Sequence, residues 1–232
     1  MTTPKFNWNC GSPEPVDELR IPITFHKTPD ASGLYIAYYV TLKGGSRPYG
    51  GFQPKPSEEG KHTIQAVFSS FSAEAKHNDP DYCVYGADGG AGVSCSARFN
   101  AELGKEYTLV LTSRDGNDDR WYYDADLFDG ETAVTHVGSF NLPADGTGRF
   151  RPFNQGFIER YIPAGCNQIV EGTFGRIKGI LNGTQYEGTA VTQNTPGTDD
   201  QCITVTYDID SETQKTDSVS YTHLTLPTIC SV

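Results

Sequence analysis

The sequence predicts an all-β fold, an antiparallel β-sandwich stapled by disulfides, with a jelly roll as one arrangement that meets the pattern. Three observations predict it. Apolar residues recur with period two in at least six segments. Gly-rich and Asp-rich turns separate those segments. No stretch carries a 3.6-residue apolar stripe long enough for a helix.

The alternation can be read along the chain. Ile21, Ile23 and Phe25 share one strand face, as do Leu34, Ile36, Tyr38, Val40 and Leu42. Ile64, Ala66 and Phe68 share another, followed by Tyr107, Leu109 and Leu111. Trp121, Tyr123, Ala125 and Leu127 alternate with Tyr122, Asp124 and Asp126; Ile203, Val205, Tyr207 and Ile209 repeat the pattern. Side chains two apart point the same way on a strand, so each set defines a buried face and a wet one. Further strands are expected near 133–140, 157–162, 169–180 and 186–192, and a helical turn near 72–77. Lys43–Pro48, Gly86–Gly92, Arg114–Asp119 and Asp145–Gly148 punctuate the strands. Asp115-Gly116 suits a hairpin tip with positive φ.

With 232 residues, 36% hydrophobic, the chain can bury one large core, and no linker divides it. The expected layout is an N-terminal extension over 1–16, a single domain over 17–218 and a tail over 219–232. Val219–Thr228 resembles the translation of a sequencing-adaptor read-through, so the tail is expected to be non-native.

A net charge of −11 disfavours nucleic acid and anionic lipid as partners and suits cations. No apolar run is long enough to span a bilayer as a helix, so no transmembrane segment is expected. Met1 leads into polar sequence without an apolar leader. Cysteine usage still points to export. The six cysteines form no C-x-x-C pair and no zinc spacing, so they read as disulfide partners. Cys83 and Cys95 flank the Gly-rich loop and are expected to close it. Cys166 and Cys202 bracket later strands, leaving Cys10 for Cys230 or a cysteine replaced by the tail. Asn182-Gly183-Thr184 is a glycosylation sequon.

The order of features also resembles an uncharacterised family of exported β domains, domain of unknown function 3472. The resemblance runs from about Asp17 to Ile180. It is carried by Tyr35–Leu42, Gly50-Gly51-Phe52-Gln53, Val67–Phe71, Asp88–Cys95, Tyr107–Leu111 and Phe157–Tyr161. Ser70-Phe71 stands where the family usually has a Trp. The resemblance implies an extracellular, carbohydrate-associated setting and no defined activity.

No catalytic motif is complete. Asp124 and Asp126 share a strand face, and with Glu159 they form the candidate carboxylates of a glycan hydrolase or lyase. Glu171 is a further acid, but the Glu-x-Asp-x-Glu spacing of laminarinase-like jelly rolls is missing. The plainer reading makes Asp124 and Asp126 the solvent face of an amphipathic strand. Asp115, Asn117 and Asp119 offer oxygens suited to calcium, the one cofactor considered; Asp-rich hairpin tips also occur without metal. The five histidines never fall at zinc spacing, and no Gly-x-Ser-x-Gly elbow or phosphate loop is present.

Aromatic residues, 12% of the chain, are the strongest binding signal. Tyr35, Tyr39 and Tyr122 lie opposite the apolar faces and are expected to be exposed for stacking on sugars. The leading expectation is a secreted recognition or matrix module for a glycan or cell-surface component. A glycan-active enzyme and a structural extracellular protein without a small ligand are the alternatives.

Overall fold

A computed structural model describes residues 5–145, 147–161, 168–189, 192–195, 204–209 and 216–221, with the backbone alone from Gln193 onward. The described residues contain no helix, and so none long and apolar enough to cross a membrane.

In chain order the strands are β1 (Lys5–Asn9), β2 (Glu18–Lys27), β3 (Leu34–Tyr39), β4 (Tyr49–Pro54), β5 (His62–Ser70) and β6 (Lys76–His77). Next come β7 (Cys83–Ala87), β8 (Gly90–Ala101), β9 (Glu106–Asp115), β10 (Arg120–Asp129), β11 (Thr132–Pro143) and β12 (Phe153–Arg160). The last are β13 (Val170–Phe174), β14 (Lys178–Leu181), β15 (Thr184–Glu187), β16 (Thr192–Thr195), β17 (Thr204–Ile209) and β18 (Thr216–Tyr221).

They form two sheets. The first has the order β16-β1-β12-β3-β4-β5-β8-β7, the second β17-β18-β13-β2-β9-β10-β11-β6. β14 pairs with β2 and with β15 beside the second sheet. Every pairing among the described strands is antiparallel. Antiparallel neighbours let each strand bury one face and wet the other, which is why alternation was legible.

The inner faces meet in one core. Leu19, Ile21, Ile23 and Phe25 of β2 join Leu109 and Leu111 of β9 and Tyr123 of β10. From the first sheet come Ile36 and Tyr38 of β3, and Ile64, Ala66 and Phe68 of β5. Ring pairs bridge the sheets: Phe25–Phe52 at 5.7 Å, Phe68–Phe140 at 4.7 Å and Phe6–Phe174 at 5.1 Å. Tyr123 is sealed below, its hydroxyl donating to the Gly148 carbonyl at 2.9 Å.

Several expectations need adjustment. Lys5–Asn9, read as extension, forms β1, and its Phe6 and Trp8 are buried in the core. The stretch 169–180 divides into β13 and β14, and 186–192 spans the end of β15 and the start of β16. In the stretch 72–77, residues 72–75 make a turn, with the Ala75 amide on the Ser72 carbonyl, and Lys76–His77 form β6. At the β9–β10 tip the positive φ falls on Asn117 and Asp119, and Gly116 keeps negative φ.

The Cys83–Cys95 disulfide is present, linking directly opposed residues of β7 and β8. Asp88 and Gly89 turn this hairpin with φ of 48° and 74°, suited to the strand twist. The bridge packs across the sandwich on Gly138 of β11. A Cβ there would lie 2.6 Å from the Cys83 sulfur, and φ is 133°, so only glycine fits. Cys10 is free and buried, and it sits on Gly179, where a Cβ would meet its sulfur at 2.6 Å. Burial pushes its thiol pKa up. Cys166, Cys202 and Cys230 lie outside the described residues.

Candidate functional site

The outer face of the first sheet departs from the wet face that alternation predicts. It carries a second apolar cluster of Tyr35, Ala37, Val67 and Phe157, with Tyr39 and Tyr49 packed against it. Antiparallel register sets its rows. One row runs Tyr39–Tyr49–Ser69–Ser94 across β3, β4, β5 and β8. The next runs Phe157–Ala37–Gly51–Val67 from β12 to β5. Glu159 stands opposite Tyr35 in the third.

Small residues in the middle row make a trough. A Cβ on Gly51 would lie 2.9 Å from the Tyr35 ring and 2.1 Å from the Ile36 carbonyl oxygen, so glycine leaves room for that ring to lie over the strand. The result is a cleft of about 340 Å³. Its aromatic wall is built from edge-on contacts: Tyr39–Tyr49 at 4.9 Å and Tyr49–Phe71 at 4.7 Å. Phe157 lies 5.0 Å from Tyr39. Ring edges meeting ring faces leave other faces free for a ligand.

Polar groups converge on the same space. Gln53, Ser69, Ser94, Asp88 and Glu159 line the cleft, and the Ser69 and Ser94 hydroxyls pair at 2.9 Å. Burial, aided by the charge of Asp88, raises the Glu159 pKa above the ordinary carboxylate value. Tyr35 is only 7% exposed, and its hydroxyl is buried without a hydrogen-bond partner. Burial, then the neighbouring Glu159, keeps that hydroxyl protonated. Tyr49 is shifted the same way, by burial and a hydrogen bond with Tyr39. At the rim, the Lys55 ammonium donates to Gln53 at 2.7 Å and to the Tyr161 hydroxyl at 3.1 Å.

No protein-family model and no curated protein matches this chain. Its functional reading rests on its own geometry.

Three residues singled out from the sequence, Tyr35, Tyr39 and Glu159, meet in this cleft. Tyr35 takes the predicted face but not the predicted exposure, because Phe157 and Gly51 let it lie flat. The other candidates are elsewhere. Tyr122, Asp124 and Asp126 occupy the outer face of the second sheet, so Asp124 and Asp126 cannot act with Glu159 across the sandwich. Tyr122 is held by its neighbours: its hydroxyl donates to Asp118 at 2.7 Å and Arg114 lies 4.5 Å over its ring. Asp124, its pKa raised by burial, is 3.8 Å from Arg114. Asp126 bonds His136 Nδ1 at 2.6 Å, and Asp79 bonds His136 Nε2 at 2.6 Å.

Asp126 also lines a larger concavity of about 680 Å³ on that face. Its charges are largely matched by their neighbours: Arg20 lies 2.6 Å from Glu18, and Arg176 and Lys178 each lie 3.9 Å from Glu187. Phe128 is its one aromatic ring. The smaller aromatic cleft is therefore the better ligand site. At the β9–β10 tip, Asp115 accepts from the Asn117 amide at 3.0 Å. Among the described residues no three His, Cys, Asp or Glu side chains gather as metal ligands would. Asn182 is exposed at the two-residue turn between β14 and β15.

Tyr49, Phe71, Phe157, Asp88, Gln53, Ser69 and Ser94 are among the site residues that sequence reasoning missed. A signal existed for some. In β3 both alternating sets, Leu34-Ile36-Tyr38 and Tyr35-Ala37-Tyr39, are apolar, which marks a strand with no purely wet face.

Proposed function

We propose that the chain is an extracellular recognition module that takes a glycan in the aromatic cleft of the first sheet. The observation carrying this reading is a ring-walled trough in which Tyr39, Tyr49 and Phe157 stand beside the polar groups of Gln53, Ser69, Ser94 and Glu159. A sugar offers an apolar face for Tyr39 and Tyr49, and hydroxyls for Glu159, Ser69 and Ser94. Export fits the Cys83–Cys95 bridge, and an exposed Asn182 suits glycosylation of the module itself.

The test is a glycan array on the oxidised protein, followed by calorimetry on the glycans it retains. Tyr39→Ala and Tyr49→Ala should each weaken binding about tenfold, the loss of one stacked ring. Tyr122→Ala should leave affinity unchanged. A folded, oxidised sample that binds nothing on the array overturns the reading in favour of a structural extracellular role.

A second reading, glycan hydrolysis, draws on the raised Glu159 carboxyl with Asp88 in the same cleft. Incubating the bound glycan and assaying new reducing ends decides it, since hydrolysis lost in Glu159→Gln requires the carboxyl group there.

A further inference from the structure

The charge lining the cleft is one-sided. Among the described residues its acidic side chains are Glu159 and Asp88, and no Lys, Arg or His lines it. Lys55 stays at the rim on Gln53 and Tyr161. Aromatic faces add negative potential, because the ring quadrupole attracts cations within about 6 Å. The whole chain carries −11, so the field outside reinforces the field within. A neutral sugar would cover Glu159 without supplying a counter-charge, and covering an unpaired charge is unfavourable. A sulfated or uronic sugar would be repelled.

Resting on the glycan reading above, we infer that the ligand is a glycan with a free, protonated amine, of the glucosamine type. The ammonium donates to Glu159, Asp88 faces it from the β7–β8 turn, and the sugar ring stacks on Tyr39 or Tyr49.

The test compares three oligosaccharides with the same linkage and length by calorimetry on the full oxidised chain. They are de-N-acetylated chito-oligosaccharide, its N-acetylated counterpart and cello-oligosaccharide. The titrations are run at several pH values from mildly acidic to neutral, because acid charges the amine while burial and Asp88 work against ionisation of Glu159. The free-amine sugar should bind at least about tenfold tighter than the other two. Glu159→Gln should bring all three within about twofold, and Asp88→Asn should remove part of the preference, covering the case in which the Glu159 variant does not fold. Oligolysine of matched charge should not compete.

Equal or tighter binding of the cello- or N-acetylated sugar overturns the ammonium assignment and leaves the glycan reading standing. Competition by oligolysine overturns it too, by showing bulk charge attraction. If the amine sugar does not bind, the assignment fails; if the glycan array is also blank, the parent reading fails with it.

Discussion

At the scale of single residues, His136 is the most informative side chain outside the cleft. Both ring nitrogens are engaged by carboxylates, Asp126 and Asp79, each at 2.6 Å. Burial works against the charged ring, but the hydrogen bonds and charges of the two carboxylates outweigh it and raise the pKa above the ordinary 6.5. A folded pKa above the unfolded one gives stability that is fully present below the unfolded value. That stability is lost as pH rises through the folded value. In denaturant titrations, His136→Gln should therefore cost most under acidic conditions, and the cost should shrink as pH climbs past the raised pKa. A pH-independent cost would mean that the ring is not charged. The sequence showed Asp126 on the outer strand face but not its partners. The β10–β11 register shifts between Ala125 and Asp126, so no spacing rule would have placed His136 opposite. Asp79 arrives from a loop 57 residues earlier.

At the scale of elements, the β7–β8 hairpin shows what sequence can and cannot disclose. Cys83 and Cys95 announced a closed loop, and they close it. The strands themselves stayed hidden, because Gly86–Gly92 reads as a break. Here those glycines take up a register shift between Tyr85 and Ala87 and a two-residue turn. Replacing both cysteines with alanine should lower unfolding free energy by about 2–3 kcal/mol, from the loop entropy restored to the unfolded chain. Urea titration of the double variant against the oxidised parent measures it. A change below about 0.5 kcal/mol would mean that the hairpin is closed by its ladder alone.

Over the whole molecule, the alternation of β2, β3, β5, β9 and β10 sufficed to identify a sandwich core. Sheet order was not available from it. β12 lies between β1 and β3, and β13 beside β2, joining segments far apart in the chain. The cleft depends on that order, because Phe157 and Glu159 reach Ala37 and Tyr35 only once β12 docks on β3. Sheet-on-sheet packing can be tested at Phe140, whose ring meets Phe68 at 4.7 Å and Tyr123 at 5.7 Å. Phe140→Ala should cost about 3–5 kcal/mol in urea titrations, as cavities in close-packed interiors do. A loss under about 1 kcal/mol would mean that the two sheets close over the gap.

The Gly138 contact and the Asp88 turn belong to one mechanical chain. The disulfide rests on β11 through Gly138, and the hairpin it closes carries Asp88 to the cleft. Under the proposed glycan reading, forming the bridge would do more than stiffen an edge: it would hold the turn that carries one of the two acids a cationic sugar would meet. A chain held in a reducing compartment would keep its rings but present a looser acidic rim, so ligand selectivity would be acquired with passage into an oxidising one.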